Sequence, residues 1–167
     1  MDRAPDFSAP TETMLARAAA QCESRGARLT ELRREVLGLI LDAKLPAGAY
    51  ELLDRLRARR GAATPPTVYR ALEFLQDQGF VHKVERLAAF VGCIEEPGHA
   101  HAAQFLICRA CGQVQEIEDA GLATALAEAA GRAGFTLAHA TVEAEGLCAD
   151  CTRAAAAPLS GQSRAAR

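Results

Sequence analysis

The chain has 167 residues, 50% of them apolar, with 19 Lys and Arg against 21 Asp and Glu, six Cys and a formal net charge of −2. That length holds one sizeable core or two small ones. No stretch approaches the apolar run needed to cross a bilayer, and the N-terminus lacks a basic start followed by an apolar signal core, so membrane-spanning and secreted classes are set aside and a cytoplasmic protein with no membrane partner is expected.

The charge is unevenly spread. Residues 1–84 hold 13 Lys and Arg against 11 Asp and Glu, a balance of +2, and residues 85–167 hold 6 against 10, a balance of −4. A mildly basic first half is permissive for contact with phosphates. In a reducing compartment disulfides are rare, so the cysteines are read first as metal ligands or reactive thiols.

In chain order, residues 12–25 read as a helix capped by Thr11, with Met14, Leu15, Ala18, Ala19 and Cys22 on one stripe; Cys22 there is a small buried hydrophobe. A second helix follows Thr30, with Leu32, Val36, Leu39, Ile40 and Ala43 at helical spacing until "KLPAG" stops it. A third covers residues 49–59, with Leu52, Leu53 and Leu56 inward and Arg55, Arg57, Arg59 and Arg60 outward. The fourth, "TPPTVYRALEFLQDQGF", opens with Thr64 and two prolines suited to a first helical turn and closes at Gly79. Its Val68, Ala71, Leu72 and Leu75 form the inner face and leave Thr67, Arg70 and Glu73 outside, with Tyr69 near the boundary.

The period then changes. "FVHKVE" and "AFVGCI", joined by "RLA", read as a two-stranded hairpin, and helices followed by a hairpin outline a winged helix. The second half reads as strand "AQFLIC", a Cys-x-x-Cys turn, strand "VQEIE", a helix near 120–133 and strand "FTLAHATVEAEG". The fold class is therefore α+β: a winged-helix domain over 1–95 with wing strands at about 80–94, a small α/β domain over 96–152, and an Ala-rich disordered tail over 153–167. So small a second domain calls for a metal or a partner chain.

Cys108, Cys111, Cys148 and Cys151 form two C-x2-C pairs. Each pair lets two sulfurs reach one ion from a tight turn, and four thiolates suit tetrahedral structural zinc. Gly112 supplies the backbone freedom of the first turn. A redox pair is disfavoured because there are two matched pairs, and c-type haem is excluded because Gly112 and Thr152 follow them. A second set comprises His82, Cys93, His99, His101 and Glu116, with Glu118 as a spare carboxylate. Singly, each has a plain surface or packing role. Together, a thiolate, two imidazoles and a carboxylate satisfy four-coordinate zinc where the two halves meet, and a metal there would fix their relative orientation.

"PPTVYRALEFLQDQGFVHKVE", the C-x2-C followed by Gly, and "EAEGLCADC" together resemble the ferric uptake regulator (Fur) superfamily, most closely its zinc uptake regulator branch, over about residues 12–152. The resemblance implies a homodimeric transcription regulator and not an enzyme: a winged helix followed by a dimerisation domain, which when zinc-loaded binds double-stranded DNA at an AT-rich palindromic operator and represses zinc-uptake genes. It implies two Zn2+ per subunit. One is structural on Cys108, Cys111, Cys148 and Cys151; the other is regulatory on His82, Cys93, His101 and Glu116. The DNA-binding set is Arg70, Tyr50, Thr67 and Tyr69, and Arg70 is chemically apt because a guanidinium donates two bonds to guanine O6 and N7.

Iron sensors of the family carry a histidine-rich run before the Cys-x-x-Cys, whereas this chain reads "GHAHAAQ", and Cys93 adds a soft ligand. Both differences favour zinc, but the affinity order places nickel and copper near or above zinc at many N/S sites, and a regulator of the family sensing iron, manganese or nickel is the alternative. His99 and His139 stand as candidates for an auxiliary site. No small-molecule substrate is expected: the H-x-E and H-E-x-x-H patterns of zinc enzymes are absent from the sequence. A zinc-stapled interaction module and a zinc enzyme lacking those patterns are the remaining alternatives from other classes.

Overall fold

A computed structural model of the chain describes residues 7–93, 103–138 and 140–156. Helices α1 (Ala9–Ser24), α2 (Glu31–Leu41), α3 (Ala49–Arg60) and α4 (Pro65–Asp77) come first, with a two-residue strand β1 (Ala47–Gly48) ahead of α3. The wing follows as β2 (Val81–Val84), a 3-10 turn (Glu85–Leu87) and β3 (Ala89–Gly92). The second half comprises β4 (Ala103–Cys108), β5 (Val114–Ile117), α5 (Ala120–Arg132), β6 (Thr141–Gly146) and α6 (Ala149–Ala156).

The four helices meet where their apolar stripes predict. Leu15, Ala18 and Cys22 of α1, Val36 and Ile40 of α2, Leu52 and Leu56 of α3, and Val68, Leu72 and Leu75 of α4 share one core with Phe80, Val81 and Phe90. Helix α1 starts earlier than expected, with Ser8 at its N-cap and Pro10 in its first turn. Thr11 lies inside the helix, where its hydroxyl donates to Asp42 Oδ1 at 2.5 Å. Asp42 thereby ties the start of α1 to the end of α2. Arg59 and Arg60, expected to face outward, instead bring guanidinium groups to the buried Glu35 of α2. A buried carboxylate draws such partners because leaving it unpaired is costly.

Strand β1 was not foreseen, since "KLPAG" reads as a helix stop; it pairs with β3 through Ala47↔Phe90 and Gly48↔Ala89, giving a wing sheet of order β1-β3-β2. The second sheet has order β5-β4-β6, with β4 antiparallel to β5 and parallel to β6.

Alternation along the wing strands decides how the two sheets meet. Val81 and Phe90 face the helices, whereas Val84 and Val91 join Ala103, Phe105 and Ile107 in a second core with Val114. The register places Glu116 and Glu143 on either side of Phe105, and Val114 and Glu145 on either side of Ile107. One face of the second sheet thus receives the wing.

Two expectations for the second half are corrected. The last strand covers only Thr141–Gly146: Gly134, at φ 80°, turns the chain out of α5, and Phe135 and Leu137 follow outside any strand with 71% and 42% exposure. Residues 153–156, expected in a disordered tail, continue helix α6 instead. Alanine is the best helix former, and Asp150 in the first turn complements the helix dipole. The rest of that expected tail, 157–167, lies outside the described residues.

Candidate metal centres and candidate DNA-binding residues

The first Cys-x-x-Cys pair sits where β4 turns into β5. Cys108 N–H donates to the Gln113 carbonyl at 2.8 Å and Gly112 N–H to the Cys108 carbonyl at 2.9 Å, with Gly112 at φ 73°. That left-handed conformation suits glycine. The second pair leaves β6 and enters α6; because β6 runs parallel to β4, Cys108↔Gly146 pairing brings Cys148 directly over the first turn. Cys148 N–H donates to Cys108 Sγ at 3.3 Å, and Cys111 and Cys148 sulfurs lie 3.9 Å apart. All four sulfurs fall within 4.8 Å of one another. A tetrahedron with zinc–sulfur bonds of about 2.3 Å has edges of about 3.8 Å, so the donor set fits zinc.

The thiols do not share one acidity. Backbone N–H groups, that of Cys148 first, hold Cys108 down at about 6. Hydrogen bonding from Cys148, then from Cys108 and Cys111, pushes Cys151 up to about 12. The N–H of Gln113 favours the Cys111 thiolate, but Cys108 and burial outweigh it and the thiol is raised. Sulfurs this close ionise together only when a cation offsets their repulsion.

A second cluster lies between the sheets. His82 of β2, Cys93 just past β3 and Glu116 of β5 bring ligand atoms within 4.8 Å of one another. His82 Nε2 is 3.2 Å from Glu116 Oε1, whose side chain is only 6% exposed. The imidazole meets the Phe105 ring edge-on at 5.7 Å between centroids. Burial opposes protonation of His82, but hydrogen bonds to Cys93 and Glu116 and the charges of both outweigh it, raising the imidazole to about 9. Thiolate, imidazole and carboxylate are an apt donor set for zinc. Glu118 is not part of this cluster, and His101, His99 and His139 lie outside the described residues.

On α4, Arg70 is exposed, Tyr69 is half exposed and Thr67 is half-buried with its hydroxyl 2.8 Å from that of Thr64. Tyr50, in the first turn of α3, is 70% exposed. Arg57 Nε donates to the Ala63 carbonyl at 3.1 Å, tying the end of α3 to the lead-in of α4. All four candidate DNA-binding residues thus keep side-chain surface open to a ligand.

Sequence reasoning missed Glu143 and Glu145. The Glu143 carboxylate accepts the backbone N–H groups of Glu85 and Arg86 at 2.6 and 3.0 Å, and Glu145 pairs with the Arg86 guanidinium. The only sequence signal is their i, i+2 spacing in "VEAEG", which places both on one face of a strand.

With this geometry in hand, similar proteins are informative. Residues 24–145 match the Ferric uptake regulator family. The zinc uptake regulation protein of Escherichia coli (strain K12) is 45% identical over 143 residues, 84% of this chain and 82% of that protein. A solved zinc uptake regulator complexed with zinc and DNA superposes with a TM-score of 0.85 at 42% identity, covering 90% of this chain and 100% of that one. The holo form of XcZur gives 0.78, covering 84% of this chain and 98% of that one, and its apo form 0.50, covering 85% and 97%, both at 44% identity. The chain therefore belongs to the ferric uptake regulator family, and within it to the branch of the zinc uptake regulators.

Proposed function

We propose that this chain is a zinc-responsive transcriptional repressor, not an enzyme, which as a zinc-loaded homodimer binds an AT-rich palindromic operator and represses zinc-uptake genes. The observation that carries the reading is the cluster of His82, Cys93 and Glu116, drawn from the wing and from the second sheet. Zinc held there would neutralise the thiolate and carboxylate and join the DNA-binding half to the other. The greater likeness to the holo than to the apo form of XcZur at equal identity supports the docked arrangement as the DNA-competent one.

In this reading the two halves of the chain divide the labour. Residues 1–95 form the DNA-binding domain and 96–152 the dimerisation domain, with a structural zinc on Cys108, Cys111, Cys148 and Cys151. His82, Cys93, Glu116 and His101 hold the regulatory zinc, making two per subunit. Helix α5 has no buried residue, and its Leu122 and the following Phe135 and Leu137 are exposed, which supports a second copy as their cover. Arg70, together with Tyr50, Thr67 and Tyr69, reads the operator, α4 lying in the major groove. No described helix is long and apolar enough to cross a membrane, and a repressor works beside the chromosome, in the cytoplasm.

The test is fluorescence anisotropy of an AT-rich palindromic duplex titrated with the protein at fixed salt and buffered free zinc, with ferrous iron, manganese and nickel as separate arms. A steep gain in affinity with zinc alone supports the reading. Affinity that stays at the nonspecific level throughout overturns it.

A further inference from the structure

The wing is held to the second sheet at two edges, and among the described residues only one of them gathers a metal-ligating cluster. The sheet order β5-β4-β6 puts Glu116 at one edge, beside His82, and Glu143 and Glu145 at the other, beneath the 3-10 turn. Between the edges Val84, fully buried, rests with Phe105 and Ile107 in the second core.

We propose that Glu143, with the Arg86–Glu145 ion pair, is a metal-independent clasp that holds the wing against the sheet and so sets the free-zinc concentration at which the His82 site fills. The inference rests on the proposed function and names the regulation of its sensory site.

The chemistry at this edge is specific. A single carboxylate takes both N–H groups of Glu85 and Arg86, the donors that a short 3-10 turn leaves without partners at its start. Charge-assisted bonds of this kind are stronger than neutral ones. The Glu85 carboxylate would repel Glu143, but it is turned aside to Lys83 Nζ at 2.6 Å. Arg86 in turn reaches Glu145, one pleat further along β6.

The three bonds to Glu143 and Glu145 link residues 57 to 59 positions apart in the chain and form only when the wing is docked. None involves His82, Cys93 or Glu116. Two clasps on one docked state are thermodynamically linked even without contact: whatever raises the docked population before metal arrives lowers the zinc needed to complete it. Glu143 is thus a positioning residue, acting on the metal site through the orientation of the wing.

The experiment uses the full-length dimer with zinc on the Cys quartet, comparing the unsubstituted protein with Glu143→Ala, Arg86→Glu, Glu145→Arg and the double reversal of Arg86 and Glu145. Second-site zinc uptake is read without DNA, by competition with a fluorescent chelator; operator affinity is read separately at saturating zinc; small-angle scattering reports the spread of the two halves. For the single variants we expect half-filling at about three- to tenfold higher free zinc, a larger radius of gyration before the second site fills, and operator affinity at saturating zinc within about twofold of the unsubstituted protein. The double reversal restores the midpoint, which a merely structural loss would not do.

An unmoved midpoint with unchanged scattering in the single variants overturns the clasp, as does a double reversal that fails to rescue. Loss of operator affinity at saturating zinc with an unmoved midpoint also overturns it and makes Arg86 a phosphate contact. Absence of second-site zinc uptake in the unsubstituted protein is a different failure, that of the proposed function, and scattering still decides whether the clasp holds the wing.

Discussion

His82 Nε2 on the wing lies 3.2 Å from Glu116 Oε1 on the second sheet, and this pair, with Cys93, is where the wing and the second sheet bring ligand atoms together. Removing one member therefore acts on the coupling of the halves more than on either fold. A Cys93→Ala protein is expected to fold and dimerise, to lose one zinc per subunit, and to bind operator at buffered zinc at the nonspecific level, on the order of a thousandfold weaker. Zinc content and anisotropy check this; full zinc-dependent binding by the variant would sink the assignment of Cys93.

The pH dependence has a defined sign. With His82 raised from 6.5 to about 9 in the metal-free protein, its protonation stabilises the docked arrangement fully below pH 6.5, and that contribution is lost as pH rises through 9. Zinc needs the neutral imidazole, so metal affinity moves the opposite way, weakening by up to about tenfold for each pH unit below 9 from this proton alone. Isothermal titration in buffers of different ionisation enthalpy counts the protons released on second-site filling.

The Cys quartet answers to a different perturbation. Structural zinc sites contribute about 10–16 kcal/mol of apparent binding free energy in small domains. Cys111→Ser is expected to expose the amides of β4, β5 and β6 to hydrogen exchange while the helical core around Leu15, Leu52 and Leu72 keeps its protection. Uniform loss of protection across the chain would show instead that the two halves fold as one unit.

Arg70 is exposed and outside both cores, so its replacement is expected to leave stability and zinc content unchanged. Arg70→Ala is expected to cost about 1–3 kcal/mol of operator affinity. Equal losses on operator and on random duplex would reassign Arg70 to the phosphate backbone.

How much of this was legible in the sequence depends on how local each feature is. The apolar stripe of α4 follows from periodicity within the element, the limits of β4 from a short, nearly continuous apolar run ended by the Cys-x-x-Cys turn, and the four sulfurs from paired spacing. Strand β1 escaped because its two residues pair only with β3, some 40 positions on, and carry no pattern of their own. Residues 135–138 look like strand by composition, yet what decides a strand is a partner, and β6 begins pairing only at Thr141. The Glu143 contact with the wing turn was invisible for the same reason: a carboxylate on a strand face reads as solvated until the fold brings donors to it.

The buried Glu35 has a consequence for how this protein meets DNA. It holds Arg59 and Arg60, while Glu12 takes Arg34 and the Phe74 ring lies 3.5 Å beneath the Arg33 guanidinium. Cations committed to internal partners release fewer condensed counterions when a duplex arrives. Each phosphate contact adds about −0.9 to the slope of log affinity against log salt. The slope will therefore be shallower than the arginine count of the first half implies, and discrimination among sequences will rest more on the few side chains that reach the bases than on a sequence-blind ionic grip.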